Sequence, residues 1–165
     1  MIYIGIDPGK SGGIAMLDES GSVLCAIKMP ESERDLLDVF CDGFIHGALD
    51  GQTARPCRAM LERVSSSPQM GRASAFTFGF GYGALTMALT AARIPYDRVV
   101  PRKWRQALGC ATSSGKMGER NNTEAKNITK RRAQELFPQQ TVIHATADSL
   151  LLAEYCRRVA QGVTR

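Results

Sequence analysis

Residues 1–13 read MIYIGIDPGKSGG, and how the second half of that stretch is taken decides the fold. A phosphate-cradling loop needs four residues between its first glycine and the Gly-Lys-Ser/Thr. Here only Ile6, Asp7 and Pro8 separate Gly5 from Gly9-Lys10-Ser11, and Asp7 puts negative charge where a phosphate should lie. Such a loop also runs into a helix whose amides hold the anion. Gly12 and Gly13 are poor helix residues, and GIAMLD after them alternates like a strand. The stretch therefore reads as strand, tight turn, strand, with an acid closing the first strand. No nucleotide cofactor is expected. Asp before Pro-Gly also starts turns well, so a purely structural role for Asp7 stays open at this point.

Working outward, SVLCAIKM makes a third strand of a meander, and residues 33–48 place Leu36, Val39, Phe40 and Phe44 on one side of an amphipathic helix. CRAMLERV is a fourth strand and YDRVV a fifth. Between them, residues 74–93 are rich in Ala, Phe, Gly and Leu and read as a buried helix. Its Gly79, Gly81 and Gly83 do not fit Gly-x-Gly-x-x-Gly; they suit close packing on the sheet or on another subunit. PRKWRQALG opens a helix with proline, a favoured first residue. Residues 109–123 form a long polar loop, of the kind that is usually functional or mobile. A helix follows from Thr123, as its N-cap, to Pro138, and a last one faces Leu151, Leu152, Tyr155 and Val159 inward. The expected fold is α/β. A single domain over residues 1–165 carries a five-stranded mixed sheet, three strands in a meander and two parallel, with helices on both faces.

Composition narrows the partners. No apolar run is long enough to cross a bilayer, and the chain enters a strand with no signal-peptide pattern, so no membrane role is expected. Five cysteines, odd in number and without Cys-x-x-Cys, suit reduced thiols in a cytoplasmic protein. The net charge of +5 leans mildly towards a polyanion. Its distribution says more: residues 31–50 carry six acids against Arg34, whereas basic residues gather at Arg93–Arg105 and Lys116–Arg132 around the polar loop. Those two stretches raise nucleic acid above a merely solvated face. Lys10, Arg72, Arg102, Lys103, Lys116, Lys126, Lys130 and Arg131 are the candidate backbone contacts, with Lys116 and Lys126 favoured.

The acids fall together in this layout. Asp7 ends strand one, Glu62 ends the apolar strand four, and Asp148 lies near the start of the last helix, with His144 four residues before it. Adjacent carboxylates repel unless a cation intervenes, and hard divalent ions take oxygen ligands. Two ions roughly 3.5–4 Å apart are the arrangement that drives phosphodiester hydrolysis. Each residue also has a plainer reading: Glu62 paired with Arg63 on the surface, Asp148 as a helix-dipole acid, His144 as a cap or surface residue.

IGIDPGKSGGIA, the LERV acid, GRASAFTFGFGYGAL, VVPRKWRQALG and ADSLLLAEY occur in an order that resembles the RuvC-like Holliday junction resolvases, most closely their compact bacteriophage members. The resemblance covers nearly the whole chain. It implies an RNase H-like fold, a homodimer, and cleavage of four-way junctions and other branched DNA with Mg²⁺ or Mn²⁺, two ions per active site. It implies Asp7, Glu62 and Asp148 as catalytic metal ligands, products with a 5′-phosphate and 3′-hydroxyl, and, for a phage protein, the cytoplasm of a bacterial host. The remaining ligand position maps to His144, four residues before the last acid. Cellular members place it three before, where this chain has Ala145. Some also carry an aromatic after the strand-four acid, where this chain has Val64-Ser65-Ser66-Ser67. Phe76 and Phe78 are substitutes in principle, though core or dimer interface suits them better. Three rivals remain: a relative that cuts RNA or RNA–DNA hybrid, an actin-like or sugar-kinase ATPase suggested by the first motif alone, and a non-catalytic structure-selective DNA-binding protein.

Imidazole binds metal only when neutral, and its reference pKa is about 6.5. If His144 is a ligand, activity falls below about pH 6.5 and Mn²⁺ supports it at least as well as Mg²⁺. A His144→Asp variant with an unchanged pH and metal profile in a cleavage assay would argue against ligation.

Overall fold

A computed structural model describes residues 1–41, 55–65, 69–110 and 122–164. Its sheet has five strands: β1 (Ile2–Asp7), β2 (Gly13–Leu17), β3 (Val23–Lys28), β4 (Cys57–Glu62) and β5 (Tyr96–Val99). Their order is β3-β2-β1-β4-β5. The first three strands pair antiparallel, and β4 and β5 add in parallel to β1. This is the mixed sheet expected from the sequence. No helix starts after Lys10-Ser11; Gly13 pairs back against Asp7 instead, which rules out the phosphate loop.

Alternation along β1 assigns its two faces. Ile2, Ile4 and Ile6 join one core cluster with Ala59 and Leu61 of β4. Tyr3 and Met60 belong to the other cluster. Since successive side chains point to opposite faces, Gly5, Asp7 and Glu62 lie on the face of Tyr3 and Met60. The Ile face is covered by α1 (Glu33–Cys41), through Leu36 and Phe40, and by the end of α2 (Arg72–Ala91), through Leu85, Ala88 and Leu89. The opposite face carries α3 (Pro101–Ala107), α4 (Asn122–Leu136) and α5 (His144–Ala160).

Helix α5 is the centrepiece, buried without a break from Ser149 to Cys156. It lies almost on the sheet backbone. A Cβ built on Gly5 would collide with the amide nitrogen of Ala153 and the carbonyl oxygen of Ser149, and one on Gly13 with the carbonyl oxygen of Ala145. Glycine at these two strand positions is therefore a packing requirement.

Some expectations need correction. Helix α2 is not buried along its length: Phe76, Phe80 and Met87 are 76%, 58% and 62% exposed. Its apolar residues run around the helix, and only its last turns reach the sheet. Gly79, Gly81 and Gly83 accordingly have nothing within 4 Å of a built Cβ, so they do not serve packing on the sheet. Helix α4 begins at Asn122, which places Thr123 inside the first turn and not at the cap. Val159 faces inward as expected, partly buried against the core. The fifth strand ends at Val99, one residue before the YDRVV run does, whereas the fourth ends at Glu62 as expected. Phe44, most of the 109–123 loop and Lys116 lie outside the described residues.

Gly5→Ala has three backbone atoms to displace and no flexible side chain to move. We expect a loss of about 3 kcal/mol, the upper end of overpacking costs, read from the urea midpoint. A wild-type midpoint would show that the approach of α5 tolerates a methyl group.

Candidate active site

The β1–β4 register runs to Ile6 opposite Leu61, so Asp7 and Glu62 are the next residues on adjacent parallel strands. Both point to the α5 face, and Asp148, the fifth residue of α5, comes down on the same edge. The three acids sense one another. The Asp7 carboxyl is pushed from 3.8 up to about 8, first by burial, then by the charges of Glu62 and Asp148, with Arg105 and Lys126 opposing. Glu62 is also raised by burial and by Asp148, against a hydrogen bond from Trp104 and the charge of Arg105.

The plainer readings of two acids fail on position. Glu62 is 6% exposed and turned inward, not paired with the exposed Arg63. Asp148 lies beyond the first turn of α5, where no acid stands. His144 is not a cap, since Ile143 holds that place; it is the first residue of α5, exposed, one turn before Asp148.

Two neighbours of the acids were not singled out by sequence reasoning. Trp104, fully buried, donates its indole N–H to Glu62 Oε1 at 2.9 Å. Arg105 donates from Nη2 to Asp148 Oδ2 at 3.2 Å, and its guanidinium lies 5.0 Å from the Trp104 ring centre. Arg105 Nε is buried without a hydrogen-bond partner among the described residues. The signal for both was topological: β5 lies beside β4, so a helix leaving the end of β5 lands beside the end of β4, where Glu62 is.

Of the candidate DNA contacts, Lys126 on α4 is exposed yet near enough for its charge to act on Asp7. Arg102 and Lys103 are exposed on α3, beside Trp104 and Arg105. Lys10 is exposed in the β1–β2 turn, and Arg72 at the start of α2; Arg131 is exposed and Lys130 half-buried on α4.

The donor set suits a hard divalent cation: carboxylate oxygens from three elements, crowded enough to hold a proton at neutral pH when no cation is beside them. As the side chains stand, no three His, Cys, Asp or Glu among the described residues are grouped as one ion's ligands. Asp148 is ion-paired with Arg105, at 3.2 Å. The residues fit such an ion in the chemistry of their donors, and their side chains would have to move to share one.

Neither a protein-family model nor a curated protein matches the chain. Solved structures do. RuvC from Thermus thermophilus in complex with a Holliday junction substrate aligns with a TM-score of 0.65 at 18% identity, covering 100% of this chain and 99% of that one. A second Thermus thermophilus RuvC structure aligns with a TM-score of 0.64 at 16% identity, again over 100% and 99%. The described residues share the fold of these RuvC structures, a mixed five-stranded sheet with helices that is consistent with an RNase H-like fold.

The raised pKa of Asp7 has a definite sign. Its contribution to stability is complete below the unfolded value near 4 and is lost as pH rises through about 8. Asp7→Asn removes that loss. In EDTA at pH 8 we expect the variant to melt at least about 3 °C above wild type, with the gap closing towards pH 4. Equal melting temperatures at pH 8 would mean that burial and the neighbouring acids do not raise the Asp7 carboxyl.

Proposed function

We propose that this chain is a divalent-metal-dependent endonuclease that cuts Holliday junctions and related branched DNA as a homodimer. The observation that carries the reading is the meeting of Asp7, Glu62 and Asp148 at one sheet edge, on a fold shared with a junction-bound RuvC.

In this reading Asp7, Glu62 and Asp148, with His144, would together hold two Mg²⁺ or Mn²⁺ ions. Such ions supply Lewis acidity and a nucleophile at neutral pH. The chain's own residues do the rest. Burial of Asp7 and Glu62 keeps bulk water from screening the site. Arg105, which donates to Asp148 Oδ2, would supply a cation for the phosphate of the DNA beside the acids. Lys126, Arg102 and Lys103 hold the DNA backbone beside the acids, with Lys10, Arg72, Lys116, Lys130 and Arg131 extending that contact. These charges position the substrate without reading sequence.

Paired nicks on a two-fold junction call for a two-fold dimer. Phe76, Phe80, Gly83 and Met87 fall on one side of α2, at helical spacings of four, three and four. That stripe is apolar and exposed, and Gly83 permits close approach of another helix. It is the face we assign to the second subunit.

The test is incubation of wild type and Asp7→Asn with labelled four-way junction, fork, duplex and RNA–DNA hybrid in Mg²⁺ and in Mn²⁺. We expect symmetric nicks on the junction by wild type and a loss of at least about 100-fold in the variant. Cutting confined to the hybrid would replace this reading with a ribonuclease. Junction binding without cutting in either metal would leave a DNA-binding protein. A Phe76→Glu, Phe80→Glu double variant should stay folded, sediment as a monomer and lose paired nicks; a dimer that persists would move the interface elsewhere.

A further inference from the structure

The chain has one tryptophan, and it is fully buried beside the acids. A buried indole N–H needs an acceptor, and backbone carbonyls commonly provide it. Here the acceptor is the carboxylate of Glu62, 42 residues away in sequence, at 2.9 Å. The next residue, Arg105, reaches 43 residues forward to Asp148. Two successive side chains of a short helix thus touch two of the three acids, and they pack on each other, guanidinium over indole.

The chemistry of the contact is selective. An indole N–H only donates, carries no charge and cannot itself ligate a cation. It occupies one direction at Oε1 and leaves Oε2 free of the indole. A hydrogen bond to an ionised acceptor is stronger than one between neutral groups. The closed packing around Trp104 fixes the donor, and so fixes the acceptor.

We propose that Trp104 is a positioning residue for the metal centre: its N–H orients the Glu62 carboxylate, holding Oε1 and leaving Oε2 for the ion. The proposal rests on the reading of Glu62 as a metal ligand. It goes further in assigning the ligand's orientation to one uncharged donor on α3.

Trp104→Phe keeps an aromatic ring in the core and deletes the donor. Mn²⁺ uptake, followed by the electron paramagnetic resonance of free Mn²⁺, should weaken about tenfold or more. On a four-way junction kcat should fall with KM little changed, since the DNA-binding face is untouched. In a Glu62→Gln background, where the ligand charge is already gone, Trp104→Phe should weaken Mn²⁺ uptake no further. A folded Trp104→Phe protein that binds Mn²⁺ like wild type overturns the proposal. So does an equal loss in the Glu62→Gln background, which marks a general packing effect.

If Trp104→Phe does not fold, the wild-type protein carries the test, because all of its tryptophan emission comes from Trp104. Saturating Mg²⁺ should shift that emission, and the shift should vanish in Glu62→Gln. No shift in wild type overturns the proposal. A wild type that takes up no Mn²⁺ at all is a different failure: it removes the metal-centre reading itself and this inference with it.

Discussion

The arrangement depends on a contact between two stretches of backbone. At Gly5 the middle of β1 and the second turn of α5 meet with no room for a side chain. That closeness sets the height of α5 above the sheet. Asp148, one residue before Ser149 in that contact, is thereby brought to the edge where β1 and β4 end. A thicker interface, of the kind that side chains at position 5 would impose, would lift the third acid away from the other two. The same approach recurs at Gly13 against Ala145, so α5 is held down at both β1 and β2.

Bringing three carboxylates together is costly, and the surroundings show how the chain offsets that cost. Trp104 donates to Glu62, Arg105 donates to Asp148, and the charges of Arg105 and Lys126 act on Asp7. Together they do not suffice to keep Asp7 ionised at neutral pH in the absence of other cations. A site built only for stability would replace such acids with apolar residues at little loss. Their presence despite repulsion and burial is the physical argument for a function that uses the charge. That argument disfavours a protein that merely binds DNA, since clustered acids repel phosphate.

The sheet was legible because its strands alternate cleanly and carry their turns with them. Asp7 and Glu62 stood out as acids closing apolar strands, and parallel pairing of those strands made them neighbours. Asp148 was legible from its place in the last helix. Trp104 and Arg105 were quoted as part of a motif yet not assigned to the site, because their contacts span 42 and 43 residues and leave no periodic trace. Helix α2 was misread for a different reason. Its composition is that of a buried helix, and composition does not tell a core from a face turned outward. His144 stands where the spacing put it, one turn before Asp148, but exposed, so its part in the centre rests on the proposed function.

The central claim is that Asp7, Glu62 and Asp148 share divalent ions. Anomalous diffraction from a crystal grown with Mn²⁺ tests it directly. The account predicts Mn²⁺ at the C-terminal edge of β1 and β4, with Asp7 touching every ion there and Arg105 drawn off Asp148. Manganese found only at surface carboxylates, with Arg105 still bonded to Asp148 at saturating metal, would contradict it.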